Sequence, residues 1–246
     1  MSLYRDEAVV LRTHKLGEAD RIVTMLSRRH GRIRAVAKGV RKTSSRFGAR
    51  LEPFMHVDLM LAQGRSLDVI TQVETLTPFA STLGSDYASY TAGTAMLETA
   101  ERVVGEDGDP AMPQYLLLVA ALRSLAGRAH DASLILDSFL LRSLAVAGYA
   151  PSFDMCARCG EEGPHRSFNP SAGGMLCARC RLPGSANPSD ETVILLASLL
   201  SGDWATAEDS DERSRREASG LVAAYLAWHL ERGLRSLPHV DRSVTR

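Results

Sequence analysis

The 246-residue chain lacks most of the features that would assign it quickly, beginning with net charge: 29 Lys and Arg balance 29 Asp and Glu. No run approaches the roughly 18 consecutive apolar residues of a membrane-crossing helix. The longest candidate, YLLLVAALRSLAG (Tyr115–Gly127), is broken by Arg123, so no membrane partner is expected. The amino-terminal MSLYRDEAVVLRTHK is too charged for a secretory leader. There is no G-x-x-x-x-G-K-[ST], which argues against a P-loop nucleotide site. Neither H-E-x-x-H nor G-x-S-x-G occurs. The early acids Asp6, Glu7, Glu18, Asp20, Glu52, Asp58, Asp68 and Glu74 form no tight group of the kind that marks a magnesium nuclease; Glu18 and Asp20 read as turn and strand-start residues. An enzyme is not expected. Cysteine is absent outside Cys156–Cys180. The chain reads as cytoplasmic, where thiols stay reduced and paired cysteines favour metal over disulfide.

The neutral total conceals an asymmetry. Residues 1–80 carry 14 basic and 8 acidic side chains, a balance of +6 that the remainder must offset. The window RRHGRIRAVAKGVRKTSSRFGAR (Arg28–Arg50) has nine basic residues and no acid. Such a window points to a local positive surface that whole-chain charge would miss.

The first 75 residues read as short strands: EAVVLRTH, DRIVTMLS, RIRAVAK, PFMHVDLML and SLDVITQVETL. Apolar alternation is clear in RIRAVAK and HVDLML, as half-buried antiparallel strands require. Gly31 suits the positive-φ position of a short hairpin loop. Five such strands predict a small barrel. The OB-fold is the commonest five-stranded version, with an SH3-like barrel as the rival. After Thr77-Pro78 the period becomes helical, near 79–104, 112–127, 131–148, 189–201 and 211–235. Leu136, Phe139, Leu140 and Leu144 fall on one helical face, and Leu221, Tyr225 and Trp228 on another. GEDGDPAMP (Gly105–Pro113) reads as an ordinary loop. The predicted class is α+β: a five-stranded OB-type barrel over 1–78, then an all-α domain over 79–246 with a cysteine module at 153–183.

Cys156, Cys159, Cys177 and Cys180 follow C-x2-C-x17-C-x2-C, a spacing expected of a four-cysteine zinc site. Two residues between cysteines let one tight turn aim both thiolates at one ion, and two turns complete a tetrahedron. Four thiolates leave no position for water, so one structural Zn2+ is the expected cofactor. A redox disulfide is the rival, and His165 is a possible substitute ligand. A deaminase would need H-x-E before P-C-x-x-C; here the one H-x-E, His229-Leu230-Glu231, follows the cysteines.

The loop KGVRKTSSRFGAR (Lys38–Arg50) is rich in Gly, Ser and basic residues and reads as mobile. Lys38, Arg41, Lys42, Arg46 and Arg50 would line the barrel face with Arg12, Lys15, Arg32 and Arg34 from the neighbouring strands. Guanidinium forks match phosphate oxygens in pairs. Aromatics for stacking bases are scarce: Tyr4, Phe47 and Phe54, the last reading as core. Binding should therefore be phosphate-driven and salt-dependent. About five contacts to a single strand imply a log–log salt slope near −3.5.

These residues are similar to a known family. AVVLRTHKLGEADRIVTMLSRRHGRIRAVAKGVRK, SRFGARLEPFMHVDLML and the strand ending QVETL resemble the amino-terminal domain of the RecO family of bacterial recombination mediators. The helical region interrupted by CARC…CARC and the closing YLAWHLERGLRSL fit the same family. The resemblance implies an OB-fold, a zinc-bearing helical domain, and binding to single- and double-stranded DNA. It further implies strand annealing, and loading of RecA with RecR onto DNA coated by single-stranded-DNA-binding protein. The acidic, apolar C-terminal tail of that coating protein would want an apolar groove with basic rims. Helices near 131–148 and 211–235 are candidates, with Arg142, Arg232 and Arg235 as rims. The competing readings are a zinc-ribbon transcription regulator and a metal-dependent nuclease.

Overall fold

The computed structural model describes residues 2–43, 45, 47–230 and 233–242. Five strands, β1 (Leu3–Leu16), β2 (Asp20–Ser27), β3 (Gly31–Ala37), β4 (Met55–Ala62) and β5 (Asp68–Pro78), close into a barrel of order β1-β2-β3-β5-β4. The expected OB-type barrel is what forms. Closure depends on the length of β1, whose first half pairs with β4 and whose second half pairs with β2. β3 meets β5 through a short parallel ladder at Ala35↔Asp68 and Val36↔Val69. Alternation in β3 sends Ile33, Ala35 and Ala37 inward and leaves Arg32 and Arg34 outside. The barrel interior is filled by Val10, Val23, Met25, Val57, Leu59 and Ile70, among others.

A bulge interrupts β1: Val10 pairs with Met25 and Arg12 with Thr24, so Leu11 is extra. The extra residue puts two neighbours on one side of the strand. Leu11, on the same face as Val9 by alternation, joins Val9, Leu26 and Phe54 in a second core shared with the helices, and the bulge turns the next residue to that side too. Arg12 stays outside beside it. This second core reaches Phe79, Leu83, Met96, Leu118, Leu122 and Phe139. The approach is close: a Cβ on Gly93 would stand 2.8 Å from the Phe54 ring.

The helices are α1 (Phe79–Leu83), α2 (Tyr87–Val103), α3 (Met112–Ala126), α4 (Ala132–Val146), α5 (Asp190–Ser201), α6 (Trp204–Glu208) and α7 (Glu212–His229). Three differ from the sequence reading. The helix expected over 79–104 is broken after Leu83, because Asp86 caps a new one, its carboxylate accepting the Ser89 N–H at 3.1 Å. α6 was hidden in a short segment. α7 stops at His229, so Arg235 does not sit at its C-terminal end but in the segment beyond. The buried face of α7 also differs: Ala218, Val222, Tyr225 and Leu226 turn inward, while Trp228 is exposed. On α4, Leu136, Phe139, Leu140 and Leu144 are all buried, as their spacing predicts. No helix among the described residues is long and apolar enough to cross a membrane.

Candidate metal centre and nucleic-acid interface

Between α4 and α5 the chain folds around its cysteines. A two-stranded sheet, β6 (Ser167–Asn169) with β7 (Gly174–Leu176), supports two tight turns. In the first, the Gly160 N–H donates to the Cys156 carbonyl at 2.8 Å, with Gly160 at φ +73°. In the second, the Cys180 N–H donates to the Cys177 carbonyl at 3.1 Å. The four sulfurs lie within 4.8 Å of one another and could hold one metal ion. Cys159 and Cys177 stand 3.8 Å apart at sulfur. A tetrahedron with metal–sulfur bonds of about 2.3 Å has edges of about 3.8 Å, so the donor set fits zinc in size and chemistry. The backbone N–H of Cys177, then those of Cys159 and Arg158, are aimed at the Cys156 sulfur and pull that thiol down to about 6. His165 turns elsewhere: its Nε2 bonds the Glu161 carbonyl at 2.8 Å. Arg179 pairs with Glu161 at 2.8 Å.

The barrel cations divide into two sets. Arg12 and Arg32 face the helices and are held there. Arg12 Nε donates to Glu101 at 2.7 Å; Arg32 donates through Nε to Asp107 at 2.5 Å and through a terminal nitrogen to the Glu101 carbonyl at 3.1 Å. Arg34 lies in the same cross-strand row as Arg12, with Thr24 between them, but it is exposed. Lys15, Lys38 and Lys42 are also exposed. Among the described residues, Lys15, Arg34, Lys38 and Lys42 have no acidic partner. Arg46 lies outside the described residues, as does Arg232.

The basic loop is anchored rather than mobile along its described length. The Gly39 N–H donates to Asp20 at 2.7 Å, and Arg41 donates to the carbonyls of Gly17 at 3.2 Å and Glu18 at 2.8 Å. This ties the loop to the β1–β2 turn. Its far end is a 3-10 turn, Gly48–Leu51, where Leu51 and the preceding Phe47 are buried in the barrel core and Arg50 is exposed. Phe54 is buried as well, at φ +69° against Tyr90. Tyr4 is half-buried and gives its hydroxyl to Asp68.

One cation escaped the sequence reading. Arg65, between the strands read from PFMHVDLML and SLDVITQVETL, sits at the β4–β5 loop and lines a cleft of about 430 Å³ with Arg32, Arg34, His30 and Tyr4. Asp68 shapes that loop by accepting the Gly64 N–H at 3.0 Å. The available signal was its position, since OB-folds use the β4–β5 loop to contact their ligands.

A separate apolar cleft of about 540 Å³ opens between α3, α4 and α6. Leu116, Leu117, Phe139, Val146 and Trp204 line it, and Arg142 stands among them. Leu116 and Val146 are about half exposed, at 52% and 47%. α4 and its Arg142 line this cleft; α7 and Arg235 do not.

Comparison with known proteins agrees with this architecture. Residues 1–79 match the family model "Recombination protein O N terminal", and residues 84–238 match "Recombination protein O C terminal". The chain is 67% identical over 243 residues to a protein of Nocardioides sp. named DNA repair protein RecO, covering 98% of this chain and all of that one. Proteins of the same name from Thermobifida fusca and Streptomyces griseus are 63% and 60% identical, covering 99% and 98% of this chain and all of each relative.

Proposed function

The chain belongs to the RecO family of DNA repair proteins, and from that premise we propose that it anneals complementary DNA strands without catalysing a covalent step. The observation that carries this reading is the set Lys15, Arg34, Lys38, Lys42 and Arg65, which have no acidic partner among the described residues, on a barrel whose Phe47 and Phe54 are buried. Two complementary strands repel through their phosphates. Cations that neutralise phosphates lower that repulsion, and the scarcity of stacking aromatics leaves base edges free to pair. Arg12, Arg32, Arg41, Arg46 and Arg50 complete the proposed DNA-binding set, in contact with single- or double-stranded DNA.

The cysteine cluster would hold one Zn2+ through Cys156, Cys159, Cys177 and Cys180. The ion would supply cross-linking of two turns and no reactive position. The apolar cleft beside Arg142 suits the acidic, apolar tail of a single-stranded-DNA-binding protein. Work with RecR in loading RecA, and residence on the nucleoid in the cytoplasm, follow as part of the same reading.

The test is a salt-titrated annealing assay without nucleotide, comparing the wild type with Lys38→Ala/Arg41→Ala/Lys42→Ala/Arg46→Ala. The variant should anneal at least about tenfold more slowly, and its single-strand salt slope should be shallower by about 3 for four lost contacts. An unchanged rate would remove the reading.

A further inference from the structure

The loop between α2 and α3 does not hang free. Its segment Gly105–Asp109 carries Glu106, Asp107 and Asp109 and lies on the outer end of β3. The Gly108 N–H donates to the Arg32 carbonyl at 2.9 Å. The Asp107 carboxylate takes Arg32 Nε at 2.5 Å. Gly31, at φ +60°, makes this approach possible: a Cβ there would stand 1.8 Å from the Asp109 carbonyl oxygen. Glu101, at the end of α2, takes Arg12 by its side chain and Arg32 by its carbonyl. Asp107 and Gly108 also form one wall of the cleft that Arg34 and Arg65 enter from the barrel side.

An acidic segment thus meets the barrel where its outward cations converge. A carboxylate on a guanidinium has the geometry of a phosphate on a guanidinium. Ion pairs this exposed are weak and readily exchanged; Asp107 keeps 43% of its side-chain surface.

We propose that the Gly105–Asp109 loop is an internal competitor for the phosphate backbone of nucleic acid, with Asp107 occupying Arg32 until a strand seated between Arg34 and Arg65 displaces it. The inference rests on the reading of the barrel as a DNA-binding surface and adds its regulation. The loop moderates affinity, so that annealed product leaves. Each strand that enters gains one guanidinium and releases one carboxylate.

The experiment measures binding of a fluorescent oligothymidylate to the full-length protein across a salt series. Asp107→Asn keeps the shape and removes the competing charge. Its Kd at low salt should fall at least about threefold, because the strand no longer has to displace a carboxylate from Arg32. Asp209→Asn, on the α6–α7 turn, removes the same charge elsewhere and should leave the Kd unchanged. Adding Arg32→Ala to Asp107→Asn should abolish the gain. Equal behaviour of Asp107→Asn and Asp209→Asn, or a gain that survives Arg32→Ala, would overturn the competitor. Failure of the wild type and every variant to bind at low salt would instead overturn the DNA-binding reading itself, and the competitor with it.

Discussion

The hydroxyl of Tyr115 accepts a hydrogen bond from Nε2 of His56 at 2.8 Å, joining α3 to β4. The same hydroxyl donates to Glu7 of β1 at 3.2 Å. Because that proton is committed to the carboxylate, Nε2 of His56 must carry the other, which leaves Nδ1 without a partner among the described residues. One side chain of the helical region therefore holds two strands of the barrel. Burial, then the Glu7 charge, pushes the Tyr115 pKa up and keeps the hydroxyl protonated.

Tyr115→Phe removes the link while keeping the ring. The expected cost is about 1–2 kcal/mol, since His56 and Glu7 both lose a partner. Urea unfolding would read it, and an unchanged midpoint would show that the junction rests on apolar packing alone.

Acidification should weaken the same junction. Burial holds His56 below its ordinary value of 6.5. The unfolded chain therefore binds a proton more readily than the folded one. Stability is insensitive to this group above about pH 6.5 and falls as the pH drops from there toward the depressed folded value. Unfolding midpoints at pH 7.5 and 5.5 should differ more for the wild type than for His56→Gln.

Gly31→Ala should be far more damaging than Gly17→Ala. Both glycines have positive φ, +60° and +58°, but only Gly31 faces another segment, with the Asp109 carbonyl oxygen 1.8 Å from where the new methyl would stand. Strain alone costs about 1–2 kcal/mol at either site. At Gly31 the loop over β3 must also undock, raising the loss to roughly 3 kcal/mol or more. Thermal unfolding of the pair makes the comparison.

Cys159→Ser, or a strong chelator, should reduce bound zinc from one equivalent to none. Metal binding in such a module is folding energy. Limited proteolysis should then cut within 153–183 while the barrel survives. Retention of stoichiometric zinc by the variant would argue against a four-sulfur site.

Arg142→Glu should lower affinity for an acidic, apolar tail peptide by about tenfold with little change in stability, because its side chain stands at an apolar cleft and the reversal adds repulsion. Isothermal titration would measure it. Undiminished binding would move the peptide to another surface.

Much of this molecule could be read locally. Alternation in RIRAVAK places Arg32 and Arg34 outside β3, since side chains in a strand alternate whatever the strand packs against. The two C-x2-C turns bring their sulfurs together because each turn is closed by its own backbone, and the sequence spacing anticipates the cluster. Anchoring of the basic loop was not legible, because it depends on carbonyls of the β1–β2 turn and on burial of Phe47 and Leu51. Arg65 was missed for a similar reason: its loop reads as a plain turn until β3 is set beside it.

Composition and periodicity by themselves determined five short strands rich in basic residues, a helical region and a pair of C-x2-C turns, since strand period, helix period and tight turns are set by near neighbours in the chain. Only the tertiary structure decided which cations are engaged and which are open. Arg12 meets an acid 89 residues away and Arg32 one 75 residues away, whereas Arg34, two residues further along β3, meets none among the described residues. Charge is a property of the residue, but its availability depends on what the rest of the chain brings alongside, and pairings over such distances leave no periodic trace in the sequence.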